Sequence, residues 1–229
     1  FFTLIEPAGT SLEFLSGASL GISSASAPSC AKSFGVAIVA ARPDVILIAG
    51  DLVTNDREAN KVAFGFIRAV SQLQIPVYYA PGNHEAKFEK RNPEWFAKYL
   101  ALVRKCGIHY LDNEWSRYSD HVYIGGLNLP LQFYQKGYFR KKPTEVDYAN
   151  CLPSAADGIR IVLAHNPMYF PLYERCGANL VFAGHVHGGV IRLPYIGGVI
   201  APQFRFFPKY DSGMYRIRNS IMFVSRGLG

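Results

Sequence analysis

Short, continuous apolar runs recur along this chain, and each ends in glycine or in a knot of polar residues. Residues 42–51 (RPDVILIAGD) are apolar without alternation and are bounded by proline and glycine. That pattern predicts a strand buried on both faces. The next stretch, LVTNDREANKVAFGFIRAVSQLQ, changes period. Ala59, Val62, Ala63, Phe66, Ile67, Val70 and Leu73 recur at helical spacing, with Asn55 or Asp56 available as the cap. IPVYYAPGNHE repeats the strand-into-glycine pattern. PEWFAKYLALVRKCG predicts a second helix, with Pro93 early in it and Gly107 just past its end.

The later half predicts strands in HVYIGGLNL, IRIVLAHNP, ANLVFAGHV, MYRIR and SIMFVS, the last two forming a hairpin that turns near Arg218 and Asn219. Helices alternate with strands early, and strands cluster late. This order predicts a layered α/β protein with two sheets face to face. No internal repeat is visible. Residues 16–33 (SGASLGISSASAPSCAKS) are mostly serine, alanine and glycine.

Composition narrows the picture. With 229 residues, 49% of them hydrophobic, the chain can bury one sizeable core and is expected to be a single domain over residues 1–229. It opens on Phe1 and stops at Gly229, so trimming at both ends is expected, with an N-terminal anchor among the segments that could be lost. No apolar run approaches the length of a membrane span, and no signal peptide is visible. The net charge of +7 favours an anionic partner, whether phosphate, nucleic acid or acidic membrane, or else marks a basic solvated surface. No helix-turn-helix, finger or RRM signature supports a specific nucleic-acid partner. Cys30, Cys106, Cys151 and Cys176 lie far apart with no CxxC, which argues against a zinc finger and for scattered free thiols.

Four predicted strand ends carry the chemistry. AGD ends in Asp51, PGNHE supplies Asn83 and His84, LAHNP supplies His165, and AGHVH supplies His185 and His187. Sites in layered α/β folds gather at strand ends, so these four can converge. A carboxylate, an amide oxygen and neutral imidazoles suit a divalent Mn, Fe, Zn or Co ion. An extended GHVH backbone would place both imidazoles on one face, one for each ion of a pair. Taken singly, each piece has a bland reading: a buried His165 is more often a satisfied core histidine. His109 and His121 sit in no such motif and receive no role.

With Gly50-Asp51, GNHE at 82–85, the His165 strand end and GHVH at 184–187, the sequence resembles the calcineurin-like metallophosphoesterases. The run GGVIRLPYIGGVIAPQFRFFPKYDSGMYRI and the closing SRGLG look like the bacterial YkuE-like branch. The resemblance implies an α/β four-layer metallophosphoesterase fold, a two-sheet β-sandwich flanked by helices. It implies one or two divalent metal ions per chain, Mn foremost, with Fe, Zn or Co as the others. Asp51 would bridge the ions, Asn83, His165 and His185 would complete one site, and His187 would serve the other. His84 would contact the phosphate or protonate the leaving oxygen. The implied activity is hydrolysis of phosphomonoesters or phosphodiesters by metal-activated hydroxide attack.

The implied partner is a phosphate ester, lipid- or wall-linked, in a bacterium, with the protein cytoplasmic or peripheral at the membrane through a missing N-terminal anchor. The segment LQFYQKGYFRKKPTEVDY, residues 131–148, mixes aromatics with Lys136, Arg140, Lys141 and Lys142. It is either a cap for such a substrate or a solvated loop whose aromatics pack on the body. One departure stands out. The family's first motif reads D-x-H, and here FLSGASLG puts Gly17 and Ser19 in those places. A catalytically weakened or inactive member that acts by binding is therefore the alternative expectation.

Overall fold

The computed structural model describes residues 2–5, 12–13, 38, 42–135, 141–153, 157–186, 191–193, 197–200 and 209–227. Its described strands are β1 (Phe2–Ile5), β2 (Leu12–Glu13), β3 (Val45–Ala49), β4 (Val77–Ala80), β5 (His109–Tyr110), β6 (Glu114–Ser119), β7 (Val122–Leu127), β8 (Ile159–Ala164), β9 (Leu180–Ala183), β10 (Ile191–Leu193), β11 (Gly197–Ile200), β12 (Gly213–Ile217) and β13 (Ser220–Val224). The described helices are α1 (Arg57–Ser71), α2 (Asn83–Arg91), α3 (Pro93–Lys105), α4 (Glu145–Cys151) and α5 (Phe170–Arg175).

One sheet runs β2-β1-β3-β4-β5, with β3, β4 and β5 parallel. The other runs β12-β13-β9-β8-β7-β6, parallel at its centre from β13 to β7 and antiparallel at both edges. β10 and β11 form a separate antiparallel pair.

Alternation along the central strands explains the layers. Ile46 and Ile48 of β3 join Phe66, Ile67, Phe96 and Val103 of α1 and α3, whereas Val45 and Leu47 face Ile161, Leu163, Phe182 and Phe223 of the second sheet. On β8, Ile161 and Leu163 take that shared interior while Val162 and Ala164 pack with Phe170, Leu172 and Tyr173 of α5. Strands covered on both faces need apolar residues at every position, hence the unbroken runs in the sequence. The order is helices, sheet, sheet, helices: the expected four-layer sandwich.

Local signals act as read. Asp56 caps α1, accepting the Glu58 N–H at 2.9 Å; Pro93 opens α3; and Gly107, at φ +70°, follows its end. β12 and β13 form the expected hairpin, turning through Arg218 at φ +46°. The strand-into-glycine pattern of IPVYYAPG holds, and two additions follow. From Asn83 the chain opens α2, a helix not assigned from the sequence, which also contains the charged KFEKR stretch. The late half also holds helices α4 and α5 between its strands. The serine-rich segment 16–33, with Gly17, Ser19 and Cys30, lies outside the described residues, while Cys106, Cys151 and Cys176 are free thiols. Among the described residues no helix is long and apolar enough to cross a membrane.

Candidate metal centre

Three strand ends meet because two glycines let their backbones touch. After β3 the chain passes through Gly50 at φ +87° into Asp51 at φ +57°, a left-handed conformation that is costly for a residue with a side chain. A Cβ on Gly50 would stand 2.6 Å from Gly82 Cα and 2.8 Å from His165 Nδ1. A Cβ on Gly82 would collide with Asp51 Oδ1. The ends of β3, β4 and β8 therefore lie closer together than any larger residue at 50 or 82 would allow.

Glu85 fixes this geometry. It is wholly buried, and its carboxylate accepts five hydrogen bonds. Oε1 takes the N–H groups of Leu52 (2.6 Å) and Val53 (3.0 Å) and the Tyr79 hydroxyl (2.6 Å). Oε2 takes the N–H groups of Asp51 and Gly82, each at 2.8 Å. Tyr99 extends the network, donating to the Tyr79 hydroxyl at 2.9 Å. The sequence reading gave Glu85 no role. Its place three residues after Gly82, completing a capping box, was the available signal. Nothing in the pattern shows that the same carboxylate would hold residues 51–53.

Asp51, His165 and His185 come together, with one ligand atom of each lying within 4.8 Å of the others. His165 Nε2 stands 2.9 Å from Asp51 Oδ2. Its Nδ1 lies 2.7 Å from the Ala49 carbonyl. A carbonyl only accepts, so Nδ1 carries a proton and Nε2 is the atom turned to the cluster. His185 sits edge-on to His165, with ring centroids 5.1 Å apart, and Tyr134 closes over both at 5.3 Å from His185 and 6.1 Å from His165.

Asn83 and His84 arrive on the first turn of α2. The His84 N–H donates to Asp51 Oδ1 at 2.9 Å, so the positive end of the helix faces the carboxylate. The His84 Nε2 is 3.9 Å from Asp51 Oδ2, and its side chain is 42% exposed, at the mouth of the cluster. Asn83 is only 4% exposed, and its Oδ1 has no hydrogen-bond partner among the described residues. A buried amide oxygen left unpaired is costly unless something absent from the polypeptide meets it, and a hard or borderline cation does so. The residues present thus fit a divalent ion.

Burial alone would raise the Asp51 carboxyl, but the imidazoles of His165 and His84 hold it well below the usual carboxylate range. Burial alone would lower His165, but Asp51 and the Ala49 carbonyl outweigh it and raise the imidazole above its ordinary value. A ligating imidazole must be neutral, so a metal held there would expel that proton. The Tyr134 hydroxyl is pushed far up by burial and by Asp51, and stays protonated over the working pH range.

One expectation fails locally. GHVH is not extended at its first histidine: β9 ends at Ala183, and His185 has φ +66°. Strand periodicity therefore does not aim His185; a left-handed turn does, with the Gly184 N–H tied to the His165 carbonyl at 3.0 Å. His187 lies outside the described residues. His109 stacks on Tyr78 at 4.7 Å, away from the cluster.

A four-layer sandwich with Asp, Asn and His at converging strand ends defines a metal-binding phosphoesterase class of α/β protein. Residues 30–189 match the family model described as calcineurin-like phosphoesterase, and the chain belongs to that family of hydrolases. It is 27% identical over 191 residues to the phosphodiesterase YaeI of Escherichia coli, covering 82% of this chain and 64% of that protein. It is 36% identical over 84 residues to an uncharacterized metallophosphoesterase, YkuE, of Bacillus subtilis, covering 36% of this chain and 29% of that one. It is 28% identical over 136 residues to the UDP-2,3-diacylglucosamine pyrophosphatase LpxG of Chlamydia trachomatis, covering 57% of this chain and 38% of that one. The chain thus spans less than two thirds of the length of each of these relatives.

Proposed function

We propose that this chain is a divalent-metal-dependent phosphoesterase, with Asp51, Asn83, His165 and His185 as ligands of one ion and His187 as a ligand of a second that shares Asp51. The observation that carries this reading is the buried, unpartnered Asn83 Oδ1 on the same first helical turn whose His84 N–H binds Asp51. Divalent ions held there supply Lewis acidity toward phosphoryl oxygens and make a nucleophile available at neutral pH. Mn is the first ion to try, with Fe, Zn and Co as alternatives of similar ligand preference.

The protein's own groups do the rest. Glu85 holds the backbone at Asp51 and Gly82 so that little reorganisation follows binding. His84, half exposed beside Asp51, stands where it can contact the phosphate or donate to the departing oxygen. Tyr134 covers His165 and His185 and limits water around them.

The substrate is a phosphate ester with an apolar part, lipid- or wall-linked. A cavity of about 420 Å³ supports this: Lys142 and Lys209 line it together with the apolar Met168, Tyr169 and Leu172. Met168 and Tyr169 belong to the turn that directly follows His165 and Asn166. By its name, LpxG acts on a diacylated nucleotide sugar, a molecule of that character.

Gly17 and Ser19, in place of the family's Asp and His, favour a second reading: a member with one firm metal site that turns over slowly or only binds. Elemental analysis of Mn-saturated, desalted protein, run beside turnover of bis(4-nitrophenyl) phosphate and 4-nitrophenyl phosphate, separates the two. Close to two ions with turnover supports the enzyme. One ion without turnover supports the binding role. No bound ion overturns the ligand assignment.

A further inference from the structure

A second cavity, of about 450 Å³, lies at the other end of the six-stranded sheet. Its floor is Arg160, near the start of β8, and its walls come from Trp115 of β6, from Tyr148 of α4 and from Arg175, Cys176 and Gly177 at the end of α5. Arg160 precedes His165 by five strand positions, roughly 16 Å of extended chain, so this cavity is separate from the metal centre.

The Arg160 side chain points to the helix-covered face, where its Nε is buried and has no hydrogen-bond partner among the described residues. An unpaired buried guanidinium nitrogen is expensive, more so than a neutral donor. Space for the guanidinium comes from Gly177, at φ +86°, where a Cβ would stand 2.9 Å from Arg160 Nη1. The other charges are already matched: Arg175 Nε donates to Glu145 Oε1 at 2.7 Å. Two guanidiniums against one carboxylate leave one positive charge for a ligand to meet. Trp115 is anchored by its Nε1–H on the Pro153 carbonyl at 2.6 Å, which fixes the indole as a wall. Tyr148 is 4% exposed, and its ring forms part of the same lining.

We propose that this cavity binds a small anion carrying a flat apolar group, an aryl phosphonate or aromatic carboxylate by class. The Nη groups of Arg160 grip the anion and Trp115 and Tyr148 face the ring. A guanidinium edge offers two parallel donors in the geometry such anions accept. The volume lies in the lower part of the range for small-molecule pockets.

The test uses phenylphosphonate, which has no ester to hydrolyse, titrated calorimetrically into the Asp51→Asn variant so that the metal centre contributes little. Saturable one-to-one binding is expected. Adding Arg160→Met should weaken it about tenfold or more, the loss of a charge-assisted hydrogen bond. Arg160→Lys, which keeps the charge and loses the fork, should also weaken it. Inorganic phosphate, which has no ring, should bind more weakly than phenylphosphonate, and equal binding overturns the assignment of Trp115 and Tyr148. Arg160→Met alone should keep its thermal midpoint and its phosphodiester turnover, showing an intact fold. No saturable binding to Asp51→Asn, or equal affinity with and without Arg160, overturns the proposal.

Discussion

Glu85 accepts the backbone N–H of Asp51 at 2.8 Å, although the two residues lie 34 positions apart. The contact joins the end of β3 to the first turn of α2, and with it the Asp51 carboxylate to the segment bearing Asn83 and His84. Because Glu85 is wholly buried and takes five donors, it determines where the ligand-bearing backbone sits without facing the ligands itself.

Replacing Glu85 with Ala strands those donors, so unfolding free energy should fall by about 3 kcal/mol or more. Glu85→Gln keeps the shape but turns an NH₂ toward N–H groups. It should lower metal affinity by roughly ten- to a hundredfold, as changes to groups supporting ligands do. Urea denaturation and competition with a chromophoric chelator measure the two effects. Unchanged metal affinity in a stable Glu85→Gln protein would show that the clamp does not govern the site.

The acid–base pair at the centre gives metal-free protein a distinctive stability profile. Asp51 is depressed on folding, so its contribution is present above the unfolded value, about 3.9, and is lost as pH falls toward the folded value. His165 is raised on folding, so its contribution is complete below the unfolded value, about 6.5, and is lost as pH rises through the folded one. Stability from this pair should therefore peak between about pH 4 and pH 6.5 and decline on either side. Urea midpoints of chelator-treated protein across pH should show this, and His165→Ala should flatten the alkaline decline. Metal affinity should run the other way, rising with pH as His165 gives up its proton.

The layers were legible because β3 and β8 are covered on both faces and need apolar residues throughout, as RPDVILIAG and IRIVLAH show. The approach of Asp51, His165 and His185 was legible because their motifs follow such strands. Three features were not. Helix α2 is mostly polar, with only Asn83, Glu85 and Phe88 buried, so it lacks the apolar stripe that betrays α1. The left-handed backbone at Asp51 and His185 leaves no mark on hydrophobic periodicity, although Asp and His enter that region more readily than most side-chain-bearing residues. The role of Glu85 depends on donors 32 to 34 residues away, a separation that periodicity does not reach.

His84 separates chemistry from metal binding. Its imidazole lies 3.9 Å from Asp51 and is 42% exposed, so removing it leaves the buried ligands in place. His84→Ala should keep metal content and thermal midpoint while lowering turnover about a hundredfold, the ordinary scale for losing a general acid. The loss should be smaller for 4-nitrophenyl leaving groups, which depart with little protonation, than for alkyl esters. Equal losses for both would remove proton donation from its role and leave phosphate contact.

Gly17 and Ser19 offer the reverse experiment. Glycine supplies no side chain and a serine hydroxyl is a weak ligand, where the resemblance would place Asp and His. If the second ion is held only by Asp51 and His187, the double variant Gly17→Asp, Ser19→His should raise bound Mn from near one to near two per chain. Turnover should rise with it, by an order of magnitude or more, because a second ion adds several kcal/mol of charge stabilisation in the transition state. Asp51→Asn in the same background should abolish the gain if, as proposed, both ions share that carboxylate. A parent chain that already binds two ions, with turnover unmoved by the double variant, would mean that the hydroxyl-rich segment around residues 17–19 is not where the second ion is completed.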